Sequence, residues 1–118
     1  MLRALARVTV VAAALSGCAP PATEGTLHSP DPDAKLYAIV RAGQQKDRSA
    51  IPELIEQLDS DDQAVRMYSI HALEQITGER MGYIHYAEPE RRREAVNRWV
   101  EAYKSGKLGT VENKTATP

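Results

Sequence analysis

Ile51, Leu54, Ile55 and Leu58 fall at i, i+3, i+4 and i+7, which puts all four side chains on one face of an α-helix. A second stretch with a helical period follows after a short break. Val65, Ser69, Ala72, Leu73 and Ile76 form one stripe between Gln63 and Thr77. The break itself is Asp59-Ser60-Asp61-Asp62, a turn whose short polar side chains offer acceptors to exposed backbone N–H groups. No segment sustains a period-two alternation, so no sheet is expected and the fold class is all-α.

Two further helices flank this pair. One spans about residues 32–46, with Leu36, Ile39, Val40 and the small Gly43 on its stripe. Asp31 is its expected N-cap, with Pro32 in the first turn. The paired helix that follows, about residues 50–58, has Ser49 as its expected cap and tolerates Pro52 because it lies in the first turn. Gly78 is expected to stop the third helix. The last helix spans about 89–104, with Val96, Trp99, Val100 and Tyr103 as its expected buried stripe. Between them lies a loop, 79–88, that holds Met81, Tyr83, Ile84, His85 and Tyr86. The chain has no Phe and only 5% aromatic residues, so its core must be mainly aliphatic.

The middle pair resembles a HEAT repeat. The matching residues are Ala50, Pro52, Leu54 and Leu58 in the first helix, the Asp-rich turn, then Val65-Arg66, Ser69 and Ala72-Leu73 in the second. Ser69 stands where the family usually has Ala and stays small. The resemblance implies a short HEAT-like α-helical solenoid, about one full repeat plus flanking helices. It also implies that Asp62 and Arg66 join a hydrogen-bond ladder between successive repeats. Residues 32–46 would be the second helix of a preceding repeat, and residues 89–104 a closing helix outside the repeat consensus. Solenoids usually need at least three repeats for a continuous core. So short a one should be marginal alone, and is expected to self-associate or dock onto a larger partner.

The start of the chain carries an address. Arg3 and Arg7 precede or border the apolar run Val8–Leu15, which ends in Leu15-Ser16-Gly17-Cys18. A basic region, a short apolar region and small residues before a cleavage point describe an export signal. The run is well short of the ~20 residues that span a bilayer. Leu-Ser-Gly-Cys resembles the lipobox of bacterial lipoproteins. This implies removal of residues 1–17, lipidation of Cys18 and a membrane anchor, with Ala19 pointing to the outer membrane, facing the periplasm. Residues 18–30, with Pro20, Pro21, Gly25 and Pro30, have linker composition. The expected folded domain is 31–106, and 107–118 is expected to be a disordered tail.

Cys18 is the sole cysteine, so no intramolecular disulfide can form. The whole chain has a net charge of −1, and loss of Arg3 and Arg7 makes it −3. That balance argues against a nucleic-acid surface. Arg91, Arg92, Arg93 and Arg98 form the one cationic cluster in the sequence. It is either a docking site for an acidic partner or a solvated face with intrahelical Glu–Arg pairs, and the latter is the simpler reading. Tyr83, Tyr86 and Trp99 could form an interaction hot spot or cover the open end of the solenoid, with the second preferred. His71 and His85 have no second ligand at metal spacing, and the Asp turn lacks calcium-loop spacing. No Ser/His/Asp set, phosphate loop or buried carboxylate pair is present, so neither enzymatic activity nor a cofactor is expected.

The expected function is protein–protein binding, as a scaffold or adaptor lipid-anchored in the bacterial cell envelope. Tyr83, Tyr86, Arg92 and Arg93 are the candidate contacts. Two alternatives remain at this point. Some HEAT-like domains resemble phycobilin lyases, and an envelope spacer would need no specific partner.

Overall fold

The computed structural model describes residues 25–109, and all regular structure within them is helical. Helix α1 spans Pro32–Gln44, a single 3-10 turn covers Arg48–Ala50, and α2 follows at Ile51–Gln57. Helix α3 spans Gln63–Thr77 and α4 spans Pro89–Lys104. Each of the four expected helices is therefore present, within a few residues of its expected ends. Helix α3 is central: α1 and α2 both pack on it, and α4 closes against α2. The expected signal segment, Cys18 and residues 110–118 lie outside the described residues.

The ends of the helices follow from their side chains. Asp31 accepts from the Asp33 N–H at 3.1 Å and caps α1. Ser49 does not cap α2, whose N-cap position is Ala50 and has no side-chain hydrogen bond; Asp47 instead caps the 3-10 turn that leads into it. The Asp47 carboxylate accepts from both the backbone N–H and the hydroxyl of Ser49, at 3.0 and 2.5 Å, because a carboxylate is the better acceptor. Asp62 caps α3 by accepting from the Ala64 and Val65 N–H groups, at 2.8 and 3.4 Å. Gly78 ends α3 at φ 79°, a left-handed conformation that Gly adopts without a steric penalty.

The stripe read for α2 is buried in full, and so is that read for α3. In α1 and α4 the stripes turn toward smaller residues. Ala38, Ile39, Ala42 and Gly43 are the buried face of α1, while Leu36 is half-buried at its edge. In α4 the buried face is Ala95, Trp99 and Ala102, with Val96 and Val100 beside it and Tyr103 exposed. In α1 small residues sit at the centre because the helix approaches α3 closely there. A Cβ on Gly43 would lie 2.9 Å from the Ala72 Cα and 2.3 Å from the Gln75 Oε1. Gln75 could swing away, but the Ala72 backbone cannot. Gly43→Ala is therefore expected to destabilise the domain by about 1–3 kcal/mol through overpacking, despite the better helix propensity of Ala. A thermal melt that rises instead would show that α1 and α3 can separate freely.

The core passes both expected edges of the domain. Leu27, placed in the linker by composition, is buried, and so is Leu108, placed in the tail. Arg48 holds the second edge: its guanidinium donates to the carbonyl oxygens of Leu108, Gly109 and Ile76. A single buried leucine leaves no periodic trace, so neither contact was legible in the apolar spacing.

Candidate protein-binding face

The loop between α3 and α4 is held by side chains from both helices. Arg66 of α3 donates to the His85 carbonyl at 3.0 Å. From α4, Arg92 donates to Ala87 at 2.8 Å, Arg98 to Met81 at 2.9 Å and the Trp99 indole to Arg80 at 3.2 Å. Four of the loop's carbonyls are thus fixed, and with them the direction of each loop side chain.

Tyr83 points inward. It is 1% exposed, and its hydroxyl donates to the Leu58 carbonyl at 2.5 Å, at the end of α2. A partner cannot reach it, so the contact role expected for Tyr83 is corrected to a core role, shared with Trp99. Tyr86 points outward and is 72% exposed, which corrects the capping role preferred for it. The His85 and Tyr86 rings meet edge to face, 5.0 Å between centroids.

Beside Tyr86 lies a shallow cavity of about 370 Å³ on the outer side of α3. Its walls include Met67, Tyr68, Ile84 and Tyr86. Six large apolar side chains are exposed among the described residues, and these are four of them. Isolated exposed apolar groups are ordinary, whereas contiguous ones mark contact surfaces. Tyr68 and Tyr86 add amphipathic rings of the kind that dominate protein interfaces. Of these four residues only Tyr86 was a candidate from sequence. Met67 and Tyr68 sit off the buried stripe of α3, and that position was the available signal for them.

The arginines divide. Arg93 is exposed. Arg92 is half-buried, one guanidinium N–H bound to Ala87 and its Nε buried without a partner, so it positions the loop and is corrected as a contact residue. Among the described residues no Glu–Arg ion pair forms within α4, so the paired-face reading is corrected as well. Arg66 is 7% exposed. Besides His85, it donates to the carbonyls of Ser60 and Asp61, at 2.8 and 2.9 Å. Within this helix pair the Asp62 carboxylate caps α3 and Arg66 bridges backbone carbonyls. His71 is exposed, and among the described residues no group of three or more His, Cys, Asp or Glu could hold a metal.

Burial pushes the Tyr83 phenol above its ordinary value near 10.0, against the pull of Arg66 and Arg92 and with a smaller push from Asp59. The folded state then holds this proton more tightly than the unfolded state. Its contribution to stability is complete below about pH 10 and is lost as pH rises from there through the folded value. Tyr83→Phe should cost about 1–2 kcal/mol at neutral pH, because the Leu58 carbonyl loses its donor. Melts of both proteins across alkaline pH should show the gap between them closing above about pH 10. A gap that stays constant would mean the phenol does not ionise on unfolding there.

An amphipathic helix pair joined by an Asp-rich turn, packed on a preceding helix, is the architecture of an α-helical repeat protein. A model of the family of HEAT repeats matches residues 19–84, more than half of the chain, and the chain belongs to that family. HEAT repeats generally mediate protein–protein interaction. The match ends inside the α3–α4 loop, and α4 lies beyond it as the closing helix. No curated protein and no solved structure matches the chain.

Proposed function

We propose that this chain is a protein-binding module, held at a bacterial membrane by lipid on Cys18, that presents the face beside Tyr86 to a protein partner. The observation that carries the reading is the gathering at one cavity of Met67 and Tyr68 from α3 with Ile84 and Tyr86 from a loop fixed at four carbonyls. A binding surface gains from such fixing, because less conformational entropy is lost on association. The lipobox-like Leu15–Cys18 motif and the Pro-rich stretch after it support the tether. Among the described residues no helix is long and apolar enough to cross a membrane. Exposed aromatic and aliphatic side chains at a fixed loop suit contact rather than catalysis, and we read the protein as a binding module and not an enzyme.

Affinity purification from detergent-solubilised membranes tests this, using the full chain with a C-terminal tag. The expected result is a defined partner that is lost with Tyr86→Ser and depleted with Cys18→Ala. Mass spectrometry of the N-terminal peptide should find an acylated Cys18. A partner set unchanged by Tyr86→Ser would reject the face, and an unmodified Cys18 would reject the tether. Recovery of no partner at all would favour a spacer.

A further inference from the structure

Residues 18–30 have linker composition, yet the second half of that stretch is built into the domain. Leu27 is 6% exposed and belongs to the same buried core as Ala38, Ala42 and Ala50. These four line one cavity between α1 and the start of α2. Before Leu27, Gly25 lies so close to α1 that a Cβ would meet the Ala34 carbonyl and side chain, so only a residue without one fits. After it, the Ser29 N–H donates to the Thr26 carbonyl at 2.9 Å and the Asp31 N–H to the Ser29 hydroxyl at 3.3 Å. Asp31 then caps α1. His28 lies 3.9 Å from the Glu53 carboxylate on α2. The family match begins at residue 19 and takes in this strap.

We propose that Leu27 is a latch that sets the height of the Tyr86 face above the membrane, and that the partner of this face is a protein fixed to that same membrane. The inference rests on the tether through Cys18 and adds its length. Six residues, 19–24, separate Cys18 from Gly25. An extended chain covers at most about 3.6 Å per residue, so Gly25 lies within about 25 Å of the acylated residue. Were the whole expected linker free, α1 would begin up to about 45 Å away. A domain of this length is about 30 Å across. No point on it, Tyr86 included, is then farther than about 55 Å from the headgroups. A protein fixed in the same bilayer presents its surface within that layer at a high effective concentration, whereas one held on a more distant structure is out of reach. A height set by a latch serves a partner whose own height is set. A freely diffusing partner would gain nothing from it.

Energy transfer measures the height, in vesicles of phosphatidylethanolamine and phosphatidylglycerol with acceptor-labelled headgroups. The acylated full chain carries its donor dye on the thiol of Tyr86→Cys, the one free thiol once Cys18 is lipidated. Leu27→Ser should move the dye outward by about 5 Å, because the chain between Cys18 and α1 roughly doubles in length. A Gly/Ser insertion of about twenty residues between Ala22 and Thr23 should move it by about 15 Å. A dye that stays at its native height in Leu27→Ser overturns the latch. Hydrogen exchange on the unsubstituted chain reads the latch without any variant. The Ser29 amide should exchange far more slowly than unstructured chain, and the unstructured rate there overturns the latch as well. In cells, a photo-crosslinking residue at position 86 should capture a protein that fractionates with the membrane. Capture of a soluble protein instead overturns the same-membrane partner and leaves protein binding standing, whereas no capture of any protein rejects both. An unacylated Cys18 rejects the tether and this inference with it. Native height in Leu27→Ser with Cys18 acylated rejects the latch alone.

Discussion

Trp99→Ala is expected to lower the unfolding free energy by about 3–5 kcal/mol. Domains of this size have only about 5–15 kcal/mol in total, so the variant should be near or beyond its folding limit at room temperature. The side chain is fully buried and is the largest that the core contains. The small residues Ala95 and Ala102 share its face of α4, so little on that helix can refill the space. The indole also donates to the Arg80 carbonyl at 3.2 Å, and this ties the loop before α4 to the helix itself. Trp99→Phe separates the two effects. It keeps most of the volume but leaves Arg80 without its donor, and should cost about 1–3 kcal/mol from the hydrogen bond together with a smaller packing loss. Urea titration followed by circular dichroism measures both, since Trp99 is the chain's one tryptophan and cannot serve as the probe of its own removal. If Trp99→Ala retained most of the wild-type stability, α4 would be an appendage and not the closing wall of the core.

Helices α2 and α3 were legible because their apolar residues are large and periodic, and their joining turn is rich in caps. Every residue on those two expected stripes is buried. The loop was not legible in the same way. Tyr83 and Tyr86 have similar neighbours and no period to tell them apart, yet one is buried and the other stands in solvent. What separates them is a set of hydrogen bonds from Arg66, Arg92, Arg98 and Trp99 to loop carbonyls, and three of those donors lie on the helix after the loop. Backbone acceptors have no sequence signature, so the pinning could not be read in advance. The same holds for Arg48 and the Leu108 segment. In α4 the hydropathy pattern favoured Val96, Val100 and Tyr103, but the residues buried beside Trp99 are Ala95 and Ala102. Arg66 is the opposite case: the family resemblance singled it out, and its side chain is buried against three backbone carbonyls.

Arg66→Ala is expected to cost about 3 kcal/mol, because three hydrogen bonds from a charged donor disappear at once and each is worth more than a neutral one. Its guanidinium is 7% exposed and reaches the Ser60, Asp61 and His85 carbonyls together. Removal therefore loosens both the turn before α3 and the loop after it, leaving the Tyr83 hydroxyl on the Leu58 carbonyl as the described side-chain hydrogen bond that still links them. Amide hydrogen exchange should accelerate in residues 59–62 and 84–87 alike, while the centre of α3 slows or quickens only with global stability. Arg66→Lys keeps the charge but not the planar fork. A single ammonium can satisfy one side of the bridge and not both, so one of the two segments should remain protected and the other open. Tyr86 lies in the second segment, and partner capture through the face should fail in Arg66→Ala even under conditions where the helices persist. Unchanged exchange at 84–87 would mean that Arg92 and Arg98 hold the loop unaided. The face would then be a property of α4 and not of the repeat, which separates two origins for the same surface: one belonging to the HEAT pair, the other to the helix that closes it.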